Sequence, residues 1–279
     1  MNEKIFYPLT DDICFKYLFS KKEMLSDFLN SFYEFVGENK KVVAIEVTTQ
    51  KEIIGKKRKS KTFYGDILAY LDCDEIVSIE MYTKFNKREY KKSLAYLTRV
   101  YSEQFEEGDD YAQAKKVIGI SLMEGNYHLN NFKIVNDYGF VNKINYGKTE
   151  DEYLQMYLVR LDKVKGIVYT DDEKRFIKWL RFIKAGELKE MEKIAKGDKN
   201  MEQALKFMKR FVNDEKNLSI FDSIKDRERN AREDGILEGR NEEHQKLLQT
   251  AKNLLDMGMP ISKIAKATGL SNEEIEELK

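Results

Sequence analysis

Apolar and polar positions alternate most clearly over residues 63–85, FYGDILAYLDCDEIVSIEMYTKF. Phe63, Gly65, Ile67, Ala69 and Leu71 share one face of a first run, and residues 76–85 form a second. The polar break DCDE between them predicts a β-hairpin. Ahead of it, Cys14, Phe15, Leu18 and Phe19 recur at helical spacing after Thr10-Asp11-Asp12. Leu25, Phe28, Leu29, Phe32 and Phe35 predict a second helix over residues 23–36, stopped by Gly37. Residues 42–49 alternate as a strand. Beyond the hairpin, Tyr90, Leu94, Leu97, Tyr101 and Phe105 make an apolar stripe, predicting a helix over 86–107 that packs on a sheet. Residues 115–122 read as a short buried strand, and 131–145 and 153–161 as weaker ones. This order implies an α/β core, a mixed central sheet flanked by helices.

From residue 171 onward the strand pattern disappears. Phe176, Trp179, Leu180 and Ile183 mark one amphipathic helix, and residues 188–195 and 201–212 two more. Residues 216–244 are densely charged, with Gly235 and Gly239 each costing a helix about 1 kcal/mol, and predict a loose helix or linker. In the tail, Leu247, Leu248, Ala251, Leu254 and Leu255 precede a restart at Pro260, a turn at Thr268-Gly269 and a capping box, Ser271 with Glu274. Two short helices about a glycine resemble a helix-turn-helix. The last helix, NEEIEEL, carries acids that repel phosphates, so the tail reads as a packing or self-associating module, a route to a homo-oligomer. The expected divisions are a core over 1–170, a helical subdomain over 171–215, a charged helix or linker over 216–244 and a helix-turn-helix-like tail over 245–279.

Composition narrows the function classes. The formal net charge of zero gives no whole-chain affinity for nucleic acid, so any DNA contact must come from local clusters. Two cysteines supply neither a disulfide framework nor zinc spacing, which suits a reducing compartment. No apolar run approaches the roughly 20 residues of a membrane helix, and the first residues lack an apolar signal core. A cytoplasmic protein without membrane contact is expected.

The chemistry-bearing features gather around the hairpin. Asp66 and Glu80 each interrupt an apolar run, and a buried unpaired carboxylate is costly. Acids on neighbouring strands suit a hard cation, although each acid alone reads more readily as a surface or ion-paired residue. Just before them, Lys56, Lys57, Arg58, Lys59 and Lys61 crowd around Gly55, either as a solvated loop or as a grip on DNA phosphates. His128 and His244 are isolated and have no metal-ligand spacing.

Four stretches in order, DDICFKYLF, GDILAYL, IEMYTKF and YSEQFEEGDDYAQAKKVIGISLM, resemble the Rpn family of recombination-promoting nucleases, PD-(D/E)XK transposase-like proteins. The tail NLLDMGMPISKIAKATGLSNEEIEEL resembles the end many members carry. The resemblance implies a restriction-endonuclease-like core and a Mg²⁺-dependent DNA endonuclease, with Mn²⁺ able to substitute. It places the strand acids on Asp66 and Glu80 as metal ligands, with the Met81 carbonyl as a third. The position two residues after the glutamate, a lysine or glutamine in such proteins, is Tyr82 here. With a pKa near 10, a tyrosine orients water rather than deprotonating it. Lys84, two residues further on the same strand face, is either a substitute cation or a merely exposed lysine at a strand end. Asp12 is either an additional acid or a helix N-cap. Gln104 and Tyr111 match family positions, with no chemistry readable from the sequence. The departure at Tyr82 keeps an alternative open, a catalytically impaired DNA-binding or self-associating protein of the same fold.

Overall fold

The computed structural model describes residues 6–43, 45–49, 52–53, 63–64, 66–72, 74–125, 133–140, 153–165 and 174–278. Two helices come first, α1 (Asp12–Phe19) and α2 (Lys22–Phe35). Asp11, not Asp12, caps α1: its carboxylate accepts from the Ile13 amide at 3.1 Å. Asp12 is thereby left inside the first turn, where its carboxylate pairs with Lys16.

Strand β1 (Ile45–Thr49) follows, then a two-stranded ribbon of β2 (Glu52–Ile53) and β3 (Phe63–Tyr64). The hairpin is β4 (Ile67–Leu71) and β5 (Glu75–Tyr82), paired antiparallel from Ile67 opposite Ile79. Asp74 turns it in the left-handed region (φ 58°), which a short polar side chain tolerates. Helix α3 (Lys87–Ser102) is capped by Asn86 and crosses over to β6 (Lys116–Met123), which lies parallel to β5. Strands β7 (Val135–Gly139) and β8 (Leu154–Arg160) complete a six-stranded mixed sheet in the order β1-β4-β5-β6-β8-β7.

Alternation along the strands gives the sheet two buried faces. One face packs under α3: Ile76, Tyr82, Val117, Met156 and Leu158 meet Tyr96, Leu97 and Val100. On the other, Phe32 of α2 meets Tyr157 edge to face, and Tyr33 donates to Glu75 at 2.8 Å. Helices α4 (Lys174–Lys184), α5 (Leu188–Ala195) and α6 (Lys199–Asn213) fall in the same compact unit as the sheet, residues 1–214. Aromatic packing explains this, with Trp179 against Phe19 and Phe28, and Phe176 against Phe28 and Phe32. Asp27 of α2 adds a polar tie, accepting from Arg175 and Trp179 of α4 and Asn200 of α6.

The second unit, residues 215–279, opens with α7 (Glu215–Asp256), a continuous helix in which Gly235 and Gly239 cause no break. Residues 229–246 are exposed all round. Its end packs with α8 (Ile261–Thr268) and α9 (Asn272–Glu276) around Ala251, Ile264, Leu270 and Ile275. Gly269 makes the left-handed turn (φ 77°), and the Ser271–Glu274 capping box forms in both directions. Among the described residues no helix is long and apolar enough to cross a membrane.

Candidate active site

The site lies where the hairpin's pairing ends. Glu80 is held on β5 beneath α3, and Asp66 stands just before β4 begins. Past the last hairpin pair, carboxylates take over the role of strand partners. The Asp66 amide donates to Glu80 Oε1 at 3.3 Å, and the Met81 amide donates to Asp66 Oδ2 at 2.9 Å. Each acid is therefore fixed by main chain belonging to the other's strand, so the two carboxylates converge at a set spacing. Glu80 is 5 % exposed.

Two anions in so buried a place disfavour one another's charge. Burial and then the Asp12 charge push Asp66 up to about 6, against the pull of Lys16. Burial and then the Asp66 charge push Glu80 up to about 8, against Lys92. The repulsion is incompletely compensated, and the donor atoms are hard oxygens. A divalent cation fits such a pair, since it would relieve the strain that raises both groups. Among the described residues no three acidic, histidine or cysteine side chains converge in metal-ligand geometry. Asp66 and Glu80 are the side chains that could hold such an ion.

Asp12 faces Lys16 on its own helix, at 2.8 Å. Lys16 in turn stands 3.2 Å from Asp66 Oδ1. Burial opposes the Lys16 charge, but Asp66 and Asp12 outweigh it and raise the ammonium's pKa. Sequence reasoning passed over Lys16 and Lys92. For Lys16 a signal existed, the four-residue spacing from Asp12 within DDICFK.

Tyr82 points under α3 into the apolar cluster rather than toward open solvent. It is 7 % exposed, its ring meets Phe85 edge to face at 5.2 Å, and Ser93 Oγ donates to its hydroxyl at 2.9 Å. Burial and then the Glu80 charge raise its pKa, so the hydroxyl stays protonated. Lys92 Nζ sits 5.6 Å from the centre of that ring. Lys84 is exposed in the bend beyond the end of β5. The basic residues Lys56, Lys57, Arg58, Lys59 and Lys61, and His128, lie outside the described residues.

Gln104 has a structural task. Its amide clamps residue 115 in both directions, Nε2 donating to the Lys115 carbonyl at 3.0 Å and Oε1 accepting from the Lys115 amide at 2.8 Å, which sets the start of β6. Tyr111 is exposed and stacks edge to face on Phe105.

Residues 9–234 match the family model described as PD-(D/E)XK nuclease family transposase. Residues 244–279 match that of the Rpn/YhgA-like nuclease family, C-terminal HTH domain. No curated protein and no solved structure matches the chain.

Proposed function

Because the chain belongs to the PD-(D/E)XK nuclease family transposases and carries an Rpn-type C-terminal domain, we propose that it is a Mg²⁺-dependent DNA endonuclease promoting recombination. The observation that carries this reading is the reciprocal hold of Asp66 and Glu80, one half-buried and one buried carboxylate, each held by the other's strand.

A bound divalent ion would supply phosphate neutralisation and a water acidic enough to attack. Asp66 and Glu80 would hold it, with the Met81 carbonyl as a further oxygen. The Met81 amide keeps Asp66 aimed, and Lys92 offsets part of the Glu80 charge. Tyr82 bears no proton-transfer role, because its hydroxyl is buried on Ser93. Lys56, Lys57, Arg58, Lys59 and Lys61 would meet DNA phosphates. On α9, Glu273 and Glu274 stand in the first turn, a poor surface for phosphate, so the tail's contact with DNA would run through other residues.

A second reading is DNA binding without cutting, favoured by the burial of Tyr82 at the position where a water-handling side chain is expected. Nicking of supercoiled plasmid with Mg²⁺ or Mn²⁺ separates the two. Metal-dependent nicking that disappears in Glu80→Ala supports the nuclease. Equal, absent nicking in both proteins, with salt-sensitive DNA affinity, supports the binding protein.

A further inference from the structure

Lys16, Lys84 and Lys92 differ in their reach to the acidic pair. Lys84 is exposed beyond the strand end. Lys92 acts on Glu80 through space while lying over the Tyr82 ring. Lys16 alone of the three makes an ion pair with a carboxylate of the site, and it makes a second with Asp12. The Lys16 and Asp66 side chains are 16 % and 13 % exposed, so solvent screens their attraction weakly. Asp12, at 47 %, is half in solvent.

We infer that Lys16 is a built-in counter-ion of the site, which occupies Asp66 in the metal-free protein and withdraws onto Asp12 when a divalent cation arrives. The inference rests on the metal site proposed above. An ammonium and a divalent ion repel strongly at contact with the same carboxylate, so they compete for it. The helical spacing from Asp12 to Lys16 keeps a second anion within reach wherever Asp66 is engaged. Withdrawal then needs only side-chain rotation about a flexible stem, with no movement of α1. Asp12, whose charge also acts on Asp66 directly, is the resting place for the ammonium. The opposing pulls of Asp66 and Asp12 set how readily the site loads.

Calorimetric titration of the full chain with Mn²⁺, without DNA and at one fixed pH, tests this. Lys16→Met should bind Mn²⁺ at least about tenfold more tightly, because a competing charge is gone. Lys16→Gln, which keeps a polar group, should move the same way. Asp12→Asn should bind about threefold more weakly, because Lys16 then rests on Asp66 alone. In Asp12→Asn, where Lys16 has only Asp66 to pair with, adding Lys16→Met should tighten Mn²⁺ binding by more than it does in the parent chain, a coupling between the two residues. Unchanged or weaker affinity in both Lys16 variants overturns the inference while leaving the metal site standing. A gain from Lys16→Met that is no larger in Asp12→Asn than in the parent chain overturns it as well. No Mn²⁺ binding by the parent chain removes the metal site itself, and the inference with it.

Discussion

Ser93 donates to the hydroxyl of Tyr82 across the interface between α3 and β5, and Ser121 of β6 donates onward to Ser93 at 3.3 Å. The chain of hydroxyls ties a helix to two strands directly beside Glu80. Tyr82 is thus a fastening between layers. Tyr82→Phe should leave plasmid nicking within about twofold of the parent and cost about 1 kcal/mol of stability, the worth of one net hydrogen bond. Tyr82→Lys should be far more disruptive, since it drives an ammonium among Phe85, Tyr96 and Leu97. Thermal melting of both variants beside a nicking assay checks this. A large loss of nicking in Tyr82→Phe at undiminished stability would return Tyr82 to the chemistry.

The raised pKa values of Asp66 and Glu80 make a prediction about pH in the absence of metal. A carboxyl whose pKa is higher folded than unfolded binds its proton more tightly in the fold. Its contribution is complete below the unfolded value near 4 and declines as pH rises through the folded values, about 6 for Asp66 and about 8 for Glu80. Glu38 and Asp198, whose pKa values are lowered, lose their contributions only in acid, below that window. Between pH 5 and pH 9, roughly, the metal-free melting temperature should therefore fall. Glu80→Gln should flatten the slope, and Mn²⁺ should restore stability most at the alkaline end. Scanning calorimetry across this range, with and without Mn²⁺, reads all three. A flat profile for the parent chain would mean that the two acids are not coupled by burial.

The hairpin, the α3 stripe and the buried β6 run were legible because each is a local periodicity, and Asp66 and Glu80 stood out as breaks in it. The ion pair from Lys16 to Asp66 was not, since it joins segments far apart in the chain and leaves no local pattern. The orientation of Tyr82 was hidden for a related reason: only the packed α3 supplies Ser93 opposite its hydroxyl. Helices α4 to α6 gave readable apolar faces, but nothing in those faces announced that Asp27, on a distant helix, would be their common acceptor. Asp12 as a cap was a sound local expectation, displaced by its neighbour Asp11, whose position is one residue better. Local order was visible; the partners across the fold were not.

Asp27 offers a test of how firmly the C-terminal helices of the first unit are attached. Its carboxylate takes the Trp179 indole N–H at 2.7 Å and the Asn200 amide at 2.6 Å, and pairs with Arg175. Asp27→Ala leaves the Trp179 and Asn200 donors without their acceptor, while Arg175 keeps Asp198, and should cost about 2 kcal/mol. Asp27→Asn retains one acceptor oxygen and should cost less. Denaturant unfolding followed by Trp179 fluorescence, the chain's one tryptophan, reports directly on the site of the change. Equal stability of Asp27→Ala and the parent would mean that aromatic packing alone secures α4.

Gly119 controls how closely α3 approaches the sheet. A Cβ built there would lie 3.2 Å from Leu97 Cδ1, so the absence of a side chain is what lets Leu97 settle against β6. Gly119 pairs with Ser78 on β5, two residues before the register pair of Ser121 and Glu80. Lifting α3 at this point should therefore loosen the Ser121–Ser93–Tyr82 chain and the roof over Glu80 together. Gly119→Val should cost about 2 kcal/mol by overpacking. Nicking should fall with it, because Glu80 gains water and loses its fixed place. Leu97→Ala in the same chain removes the clashing methyls and should recover part of both losses, a positive coupling that two independent defects would not show. Melting and nicking measured over the full double-mutant cycle decide the matter; additive losses would mean that Gly119 and Leu97 act separately and that the closeness of α3 is set elsewhere.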